Sequence, residues 1–146
     1  MKKKAVAQII KEMQKFRPQV LLTWPSDGLS GHPDHIAISH WTRLAYEEVA
    51  KYTQAPTAIY HLAIPHSITN ELNLTKLHSI PDEEISLTVD VAEVWEQKLA
   101  AIRCHLTQAS GSPILAACEG RQRLFLEKEY FKRALANEDD DFLINS

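Results

Sequence analysis

The sequence is poor in the features that mark several common classes of protein. Its two cysteines, Cys104 and Cys118, form neither a disulfide framework nor a Cys-x-x-Cys motif. No apolar run reaches the length of a membrane-spanning helix, and no stretch has the pattern of a secretory leader. With only four glycines, the chain has no glycine-rich phosphate-binding loop. These absences predict a protein of the reducing cytoplasm with no membrane partner.

The sequence also has no excess of positive charge. The 16 Lys and Arg residues are outnumbered by 19 Asp and Glu residues, which makes the formal net charge −3. The basic run Lys2-Lys3-Lys4 is too short to alter this balance, and the aromatic residues are not interleaved with basic ones as in single-strand binders. We therefore expect no nucleic-acid partner. The apolar content of 45% is enough for the core of one domain.

The hydrophobic pattern alternates between helical and extended periods. The predicted helices are 5–16, 35–52, 91–106 and 121–136, and the predicted strands are 20–24, 57–64 and 85–89. The near-continuous apolar strand 20–24 suggests cover on both faces. Segment 66–77 has no clear period and is predicted to be a loop, whereas Asp90 and Glu93 resemble a capping box. The pattern favours an α/β domain.

Chemistry-bearing side chains are concentrated in Gly31-His32-Pro33-Asp34-His35, between a predicted strand and a predicted helix. Such loops form active sites in α/β enzymes. His35, at the first helical turn, is a candidate zinc or iron(II) ligand, and His32 is a candidate proton donor or oxyanion partner. Asp34 is predicted to cap the helix, to orient a histidine, or both. A solvated polar loop is the alternative, since a catalytic zinc needs three protein ligands.

The other candidates carry weaker signals. Trp24 ends the first predicted strand and is suited either to contact with a sugar ring or to the core. His66 follows the end of the second strand and is the remaining histidine best placed to approach a site. His40 and His61 fit structural roles on the predicted helix and strand. The two cysteines lack a suitably spaced base, so no nucleophile is predicted.

Two further stretches, together with the loop, carry a family resemblance. The run from Thr23 to Ala37 resembles the second motif of the LmbE-like (PIG-L type) metal-dependent N-acetylglucosaminyl deacetylases. Lys98–Gln108 is similar to that family's Lys-x-x-Ala-x-x-x-His-x-x-Gln helix, and Glu129-Tyr130-Phe131 resembles its closing segment. The resemblance covers most of the chain in the right order. It implies a Rossmann-like, three-layer α/β fold.

The resemblance also implies an activity and roles for individual residues. The cofactor would be zinc or iron(II), and the substrates would be small N-acetylglucosamine conjugates that undergo metal-assisted amide hydrolysis. His35 would be the third metal ligand. His32 would help the tetrahedral intermediate and the leaving amine, with Asp34 in support. His105 would line or buttress the site, and Trp24 is a candidate substrate contact.

The sequence departs from this family at one motif. Family members carry an Ala-His-Pro-Asp-Asp-Glu type motif that supplies two metal ligands and an aspartate base, and it is absent here. The first nineteen residues contain no histidine and no aspartate. We therefore expect 1–146 to be a single partial domain, incomplete on its N-terminal side. The alternatives are a non-catalytic remnant or interaction module, and a hydrolase that completes its site with a second chain. An exposed sheet edge would favour a homo-oligomer.

Overall fold

Helices and strands alternate around a mixed sheet of four strands in the computed structural model, which describes residues 2–52, 56, 58–109 and 111–136. The strands are β1 (Val20–Thr23), β2 (Ala58–Ala63), β3 (Leu87–Asp90) and β4 (Lys128–Ala136). The helices are α1 (Lys2–Phe16), α2 (Gly28–Gly31), α3 (Pro33–Val49), α4 (His66–Leu72), α5 (Trp95–Arg103), α6 (Leu106–Ala109) and α7 (Glu119–Leu126). The predicted α/β class, consistent with a Rossmann-like fold, is confirmed.

The order of the strands places the end of β1 next to the end of β2. The sheet runs β1-β2-β4-β3, with β1 and β2 parallel and β4 antiparallel to both of its neighbours. In the parallel pair, Thr23 lies opposite His61. The loop that follows β1 therefore leaves the sheet at the shared carboxyl edge of two parallel strands, which is the usual position of a site in an open α/β sheet.

One face of the sheet is covered by α1 and α3. Met13 from α1 and Tyr46 and Val49 from α3 are buried against Ile59 of β2, and Leu21 of β1 packs on the same cluster. Their helical spacing presents one apolar stripe to the sheet. This packing holds α3 against β1 and β2, so the position of its first turn is fixed relative to the strand ends.

A second apolar cluster lies beside the loop after β1. Its buried members are Ile64, Ile68 and Leu72, and Leu29 of the loop packs against it. The 66–77 loop prediction is thus wrong over α4, whose apolar side chains are spaced to face this cluster. No helix in the described ranges is both long and apolar enough to cross a membrane.

The prediction that β1 is covered on both faces holds only in part, since Val20 packs on the buried cluster of Ala58, Tyr60 and Phe131. Leu22 is 59% exposed, whereas Leu21 packs against the cluster that includes α1 and α3. Successive side chains of a strand point to opposite faces, and among the described residues β1 is an edge strand that pairs with β2 alone. Continuous apolar sequence therefore does not mean two-sided cover at this position.

The prediction of one long helix over 121–136 is wrong beyond Leu126. The chain forms the shorter helix α7 and then β4, which lies between β2 and β3. Phe131 is buried in β4, where it lies opposite Leu62 of β2 and Leu87 of β3. Pairing with two strands distant in the sequence outweighs the local helical spacing, and it satisfies backbone groups on both edges of β4.

The helix predicted over 91–106 is broken into shorter pieces. The Asp90 carboxylate accepts a hydrogen bond from the Ala92 N–H at 2.9 Å, but it opens a 3₁₀ turn, and α5 begins only at Trp95. Trp95 and Leu99 are buried as predicted, whereas Leu106 is 78% exposed. Because α5 ends at Arg103, His105 lies between two helices and not within one.

Candidate functional site

Unusual backbone conformations shape the loop between β1 and α3. Gly28 (φ 70°), Leu29 (φ 61°) and Gly31 (φ 71°) all have positive φ. The Asp27 carboxylate stabilises this path, since its Oδ1 accepts a hydrogen bond from the Leu29 N–H at 2.8 Å. Glycine adopts positive φ without a steric penalty, whereas Leu29 does so at a cost.

Gly28 lies so close to α3 that an added side chain would be crowded. A Cβ placed on Gly28 would be 3.0 Å from the His35 Cβ and 3.1 Å from the Ile36 Cγ1. This close approach brings the Gly28 carbonyl within 3.1 Å of the His35 Nδ1. The glycine therefore provides both the turn and the backbone partner of the histidine.

His35 presents one ring nitrogen for a ligand. A carbonyl oxygen only accepts, so the bond to Gly28 requires the proton of His35 to be on Nδ1. In the neutral ring, Nε2 then keeps its lone pair, which is the arrangement of a metal-binding histidine with a backbone carbonyl as its second partner. The Trp24 indole stacks on the imidazole with centroids 3.7 Å apart and an interplanar angle of 5°, which fixes the ring plane.

His32 has the opposite tautomer. It is the N-cap of α3, and its Nδ1 accepts a hydrogen bond from the Asp34 N–H at 3.2 Å. A backbone N–H only donates, so in the neutral ring the proton is on Nε2. The rings of His32 and His35 are 4.8 Å apart between centroids. The two neighbouring rings thus present one lone pair, on the His35 Nε2, and one donor, the His32 Nε2–H.

The structure corrects the predicted cap. Asp34 is the second residue of α3, after Pro33, and the capping side chain is that of His32. The Asp34 carboxylate is exposed in the first turn, where negative charge is favourable to the helix dipole. The contact of Asp34 with His32 is made by its backbone N–H and not by its carboxylate, so the role predicted for the side chain in orienting a histidine stays a prediction.

Sequence reasoning missed Asp27 and His78. The Asp27 Oδ2 lies 3.3 Å from the His78 Nδ1, and the His78 N–H donates to the Leu29 carbonyl at 2.6 Å. No local pattern indicates this contact, because the two residues are far apart in the sequence. His66, the other histidine expected near a site, instead places its Nε2 3.2 Å from the Ser79 carbonyl oxygen.

The Lys98–Gln108 motif belongs to a second polar region, which has a cavity of its own. Lys98 donates to the Leu126 carbonyl at 2.6 Å and pairs with the Glu129 Oε1 at 3.0 Å. His105 is exposed, and no hydrogen bond or ring contact in the described part of the chain joins it to the histidine loop. It lines a cavity of about 350 Å³ whose walls are Lys98, Ala101, Ile102, His105, Ser112, Leu115 and Glu129.

A larger cavity of about 860 Å³ lies between α3 and the sheet. Ile36, His40 and Arg43 line it from α3, and His61 lines it from β2. Burial lowers the pKa of His61, and Lys132 lowers it further, whereas the charge of Asp27 acts in the opposite direction. His61 is half-buried in a central strand, and its structural role stays a prediction.

The histidine loop does not by itself form a complete metal site. Within residues 2–52, 56, 58–109 and 111–136, no three His, Cys, Asp or Glu side chains are grouped to hold a metal ion. His35 is suited to be one ligand of zinc or iron(II), because its Nε2 lone pair is free. A full catalytic set needs two more ligands, and the described residues do not supply them.

The fold and the loop define an α/β domain with a histidine pair at the carboxyl end of a parallel strand. No family model matches the chain. It is 30% identical to a 1D-myo-inositol 2-acetamido-2-deoxy-alpha-D-glucopyranoside deacetylase of Salinispora arenicola, over 90% of this chain and 48% of that protein. It is 29% identical to the enzyme of the same name from Thermobispora bispora, over 87% of this chain and 50% of that protein.

The chain belongs to the LmbE-like (PIG-L type) deacetylase family. This confirms the family that the loop and the Lys98–Gln108 stretch resemble. The chain spans about half the length of the curated relatives it matches. The family assignment therefore concerns the fold and the shared segments.

Proposed function

We propose that this chain takes part in the hydrolysis of the N-acetyl group of a small N-acetylglucosamine conjugate. The observation that carries the proposal is the histidine pair, in which His35 offers a lone pair and His32 offers an N–H from adjacent rings. Amide hydrolysis needs an electrophilic centre at the carbonyl and a donor for the oxyanion or the leaving amine. The relatives are named as deacetylases of an N-acetylglucosaminyl inositol, which supports this class of substrate.

In this proposal, His35 is a ligand of zinc or iron(II) through Nε2. When bound, the metal would supply a Lewis acid for the amide carbonyl. The Gly28 carbonyl and the Trp24 ring hold the imidazole in the orientation that points Nε2 away from the loop backbone. The remaining ligands would come from outside the described residues, which form no group of three potential ligands.

His32 is the proposed proton donor. Its Nε2–H is available because Nδ1 is occupied by the Asp34 N–H. It would donate a hydrogen bond to the carbonyl oxygen as negative charge develops there. To pass a proton to the departing amine, the ring would first bind a second proton on Nδ1 in place of the Asp34 N–H contact, so that the imidazolium returns to the neutral ring when it gives up its Nε2 proton. We assign Trp24 and His105 as substrate contacts, Trp24 at the loop and His105 through the cavity that it lines.

The first experiment measures metal content, solution mass and amine release for the 146-residue chain. The metal would be determined by elemental mass spectrometry, and release of the free amine from an N-acetylglucosaminyl inositol would be followed with added zinc or iron(II). The variants are His32→Ala and His35→Ala, with His40→Ala as the matched control from the same helix. The mass in solution shows whether any activity comes from a single chain or from an oligomer.

We expect metal-dependent amine release that falls about 100-fold or more in His32→Ala. His35→Ala should lose both the bound metal and the activity, whereas His40→Ala should keep both. Activity that is equal in all variants would contradict the roles of the two histidines. A metal-free, inactive chain would contradict the proposal as a whole.

A non-catalytic role is the second candidate. It is favoured by one observation, the lack of a three-ligand group among the described residues. In that case the chain would keep the fold and the loop without turnover, as a remnant or an interaction module. A chain that binds metal only as a homo-oligomer would instead favour a site completed by a second copy.

A further inference from the structure

Leu29 has a backbone conformation that a leucine rarely adopts. Its φ is 61° and its ψ is −35°, within a turn whose other positive-φ positions are glycines. A strained residue persists only when its surroundings hold it. Leu29 directly follows Gly28, whose carbonyl is the partner of His35. Whatever holds Leu29 therefore acts next to the proposed metal ligand.

Two contacts hold the backbone of Leu29 from opposite sides. Its N–H donates to the Asp27 Oδ1 at 2.8 Å, and its carbonyl accepts from the His78 N–H at 2.6 Å. The contact between the Asp27 Oδ2 and the His78 Nδ1, at 3.3 Å, joins the two holding residues. We call Asp27, Leu29 and His78 the loop clasp.

The clasp is anchored to the sheet. Ile80, two residues after His78, donates its N–H to the Ile64 carbonyl at 3.0 Å and accepts from the His66 N–H at 2.9 Å. The Leu29 side chain packs on the cluster of Ile64 and its neighbours. His78 is thus held next to the loop by a segment that is hydrogen-bonded to the residues directly after β2.

The clasp reaches His35 through a single rigid peptide group. The Leu29 N–H that Asp27 accepts and the Gly28 carbonyl that His35 contacts belong to the same planar unit. Fixing one end of that unit fixes the direction of the other. We propose that Asp27 and His78 are positioning residues that orient the Gly28–Leu29 peptide plane and so hold His35 in the Nδ1–H tautomer, with Nε2 free.

The side-chain contact of the clasp is half-exposed, so its effect on stability is small. Exposed ion pairs contribute little to the free energy of unfolding. The expected consequence of breaking the clasp is a change in the tautomer of His35, with little change in the melting temperature. This separates positioning from ordinary stabilisation, since a purely structural contact would lower stability and leave the tautomer of the folded protein unchanged.

The test is nitrogen-15 NMR of the histidine rings in the metal-free 146-residue chain. His35→Ala assigns the signal, and the variants are Asp27→Ala and His78→Ala. Asp27→Asn keeps an oxygen for the Leu29 N–H, and His78→Asn keeps a donor near the position of Nδ1. His40→Ala is the control from α3. The melting temperature of each variant shows whether it is folded.

We expect the Nδ1–H form of His35 in the parent chain and in His40→Ala. Asp27→Ala, which loses both of its contacts, should convert His35 largely to the Nε2–H form. His78→Ala should do so in part, and the two Asn variants should retain the parent signal. An unchanged His35 tautomer in folded Asp27→Ala would overturn the proposal. If that variant fails to fold, an unchanged tautomer in His78→Ala decides in the same way.

The catalytic consequence rests on the proposed function, but the tautomer measurement does not. It uses neither metal nor substrate, so a chain without deacetylase activity still tests the clasp. Where activity is found, Asp27→Ala should lower kcat about tenfold or more with little change in KM, and Asp27→Asn should restore most of it. A change confined to KM would contradict the positioning role.

Discussion

The histidine loop and the α5–β4 region both carry polar residues that resemble family motifs, yet the structure uses those residues differently. In the loop, His32 and His35 each form a hydrogen bond with the backbone through Nδ1, which leaves Nε2 of each ring available to a ligand. In the second region, Lys98 is only 19% exposed and directs its charge inward, to the Leu126 carbonyl and to Glu129. The partner of a polar group, more than its type, distinguishes a ligand-facing residue from a structural one.

The comparison extends to the backbone. The loop concentrates positive φ angles next to its histidines, whereas α5 is a regular helix that ends before His105. Strain is maintained where side-chain atoms must be presented in a set direction. His105 has no such support, which is why we assign it to substrate contact and not to the chemistry itself.

The largest effect on stability should come from the loop, through Gly28→Ala. The new Cβ would meet the His35 Cβ at 3.0 Å on a backbone with φ 70°, so we expect a loss of about 2–3 kcal/mol in the free energy of unfolding. Gly31→Ala is the control, because it shares the positive φ (71°) but has no neighbour within 4 Å of its Cβ. Denaturant titration measures both. Equal losses would mean that the approach to His35 is unimportant.

A smaller effect is expected at Lys98, on the other side of the comparison. Lys98→Met leaves the Leu126 carbonyl and Glu129 without their partner, which should lower stability by about 1–2 kcal/mol. His105→Ala should change stability by less than about 0.5 kcal/mol, because the side chain is exposed. Neither variant should alter the His35 tautomer. Loss of activity in Lys98→Met at unchanged stability would place Lys98 in the site instead.

The smallest expected effect is the contribution of His61, in β2, to the pH dependence of stability. Burial lowers the pKa of His61 in the folded chain below its usual 6.5. Below pH 6.5 the unfolded chain binds this proton more readily, so His61 favours folding above that pH, and the benefit is lost as the pH falls through the folded pKa. His61→Gln should therefore flatten the fall in stability below pH 6.5 relative to the parent chain. Denaturation at several pH values checks this, and parallel curves would contradict it.

Local pattern predicted the elements that local contacts determine. The stripe of Met13 and its neighbours predicted α1, and the apolar run before Trp24 predicted β1. The position of the histidine pair at the end of a parallel strand also followed from sequence. These features depend on residues within one or two turns of each other, so their periodicity is visible along the chain.

The features that were missed depend on distant partners. β4 looks helical by spacing, but Phe131 pairs across the sheet with Leu62 and Leu87. The exposure of Leu22 depends on which distant side chains reach its face, since Val20 on the same face packs on a cluster that includes Phe131. The clasp between Asp27 and His78 needs the fold to bring the two residues together. Even the cap of α3 was misassigned, because an imidazole took the place expected for the Asp34 carboxylate.

The place of β4 in the sheet has a consequence for how the chain is made. β4 is the last strand of the described sequence, yet it lies between β2 and β3 and is hydrogen-bonded to both. During synthesis, β2 and β3 leave the ribosome well before the strand that joins them. Nascent chains would therefore carry open strand edges until residue 136 has been added, and such edges invite pairing with other chains. Growing chains should depend on chaperones, and a chain cut just before Lys128 should be far more prone to aggregate than one cut after Ala136.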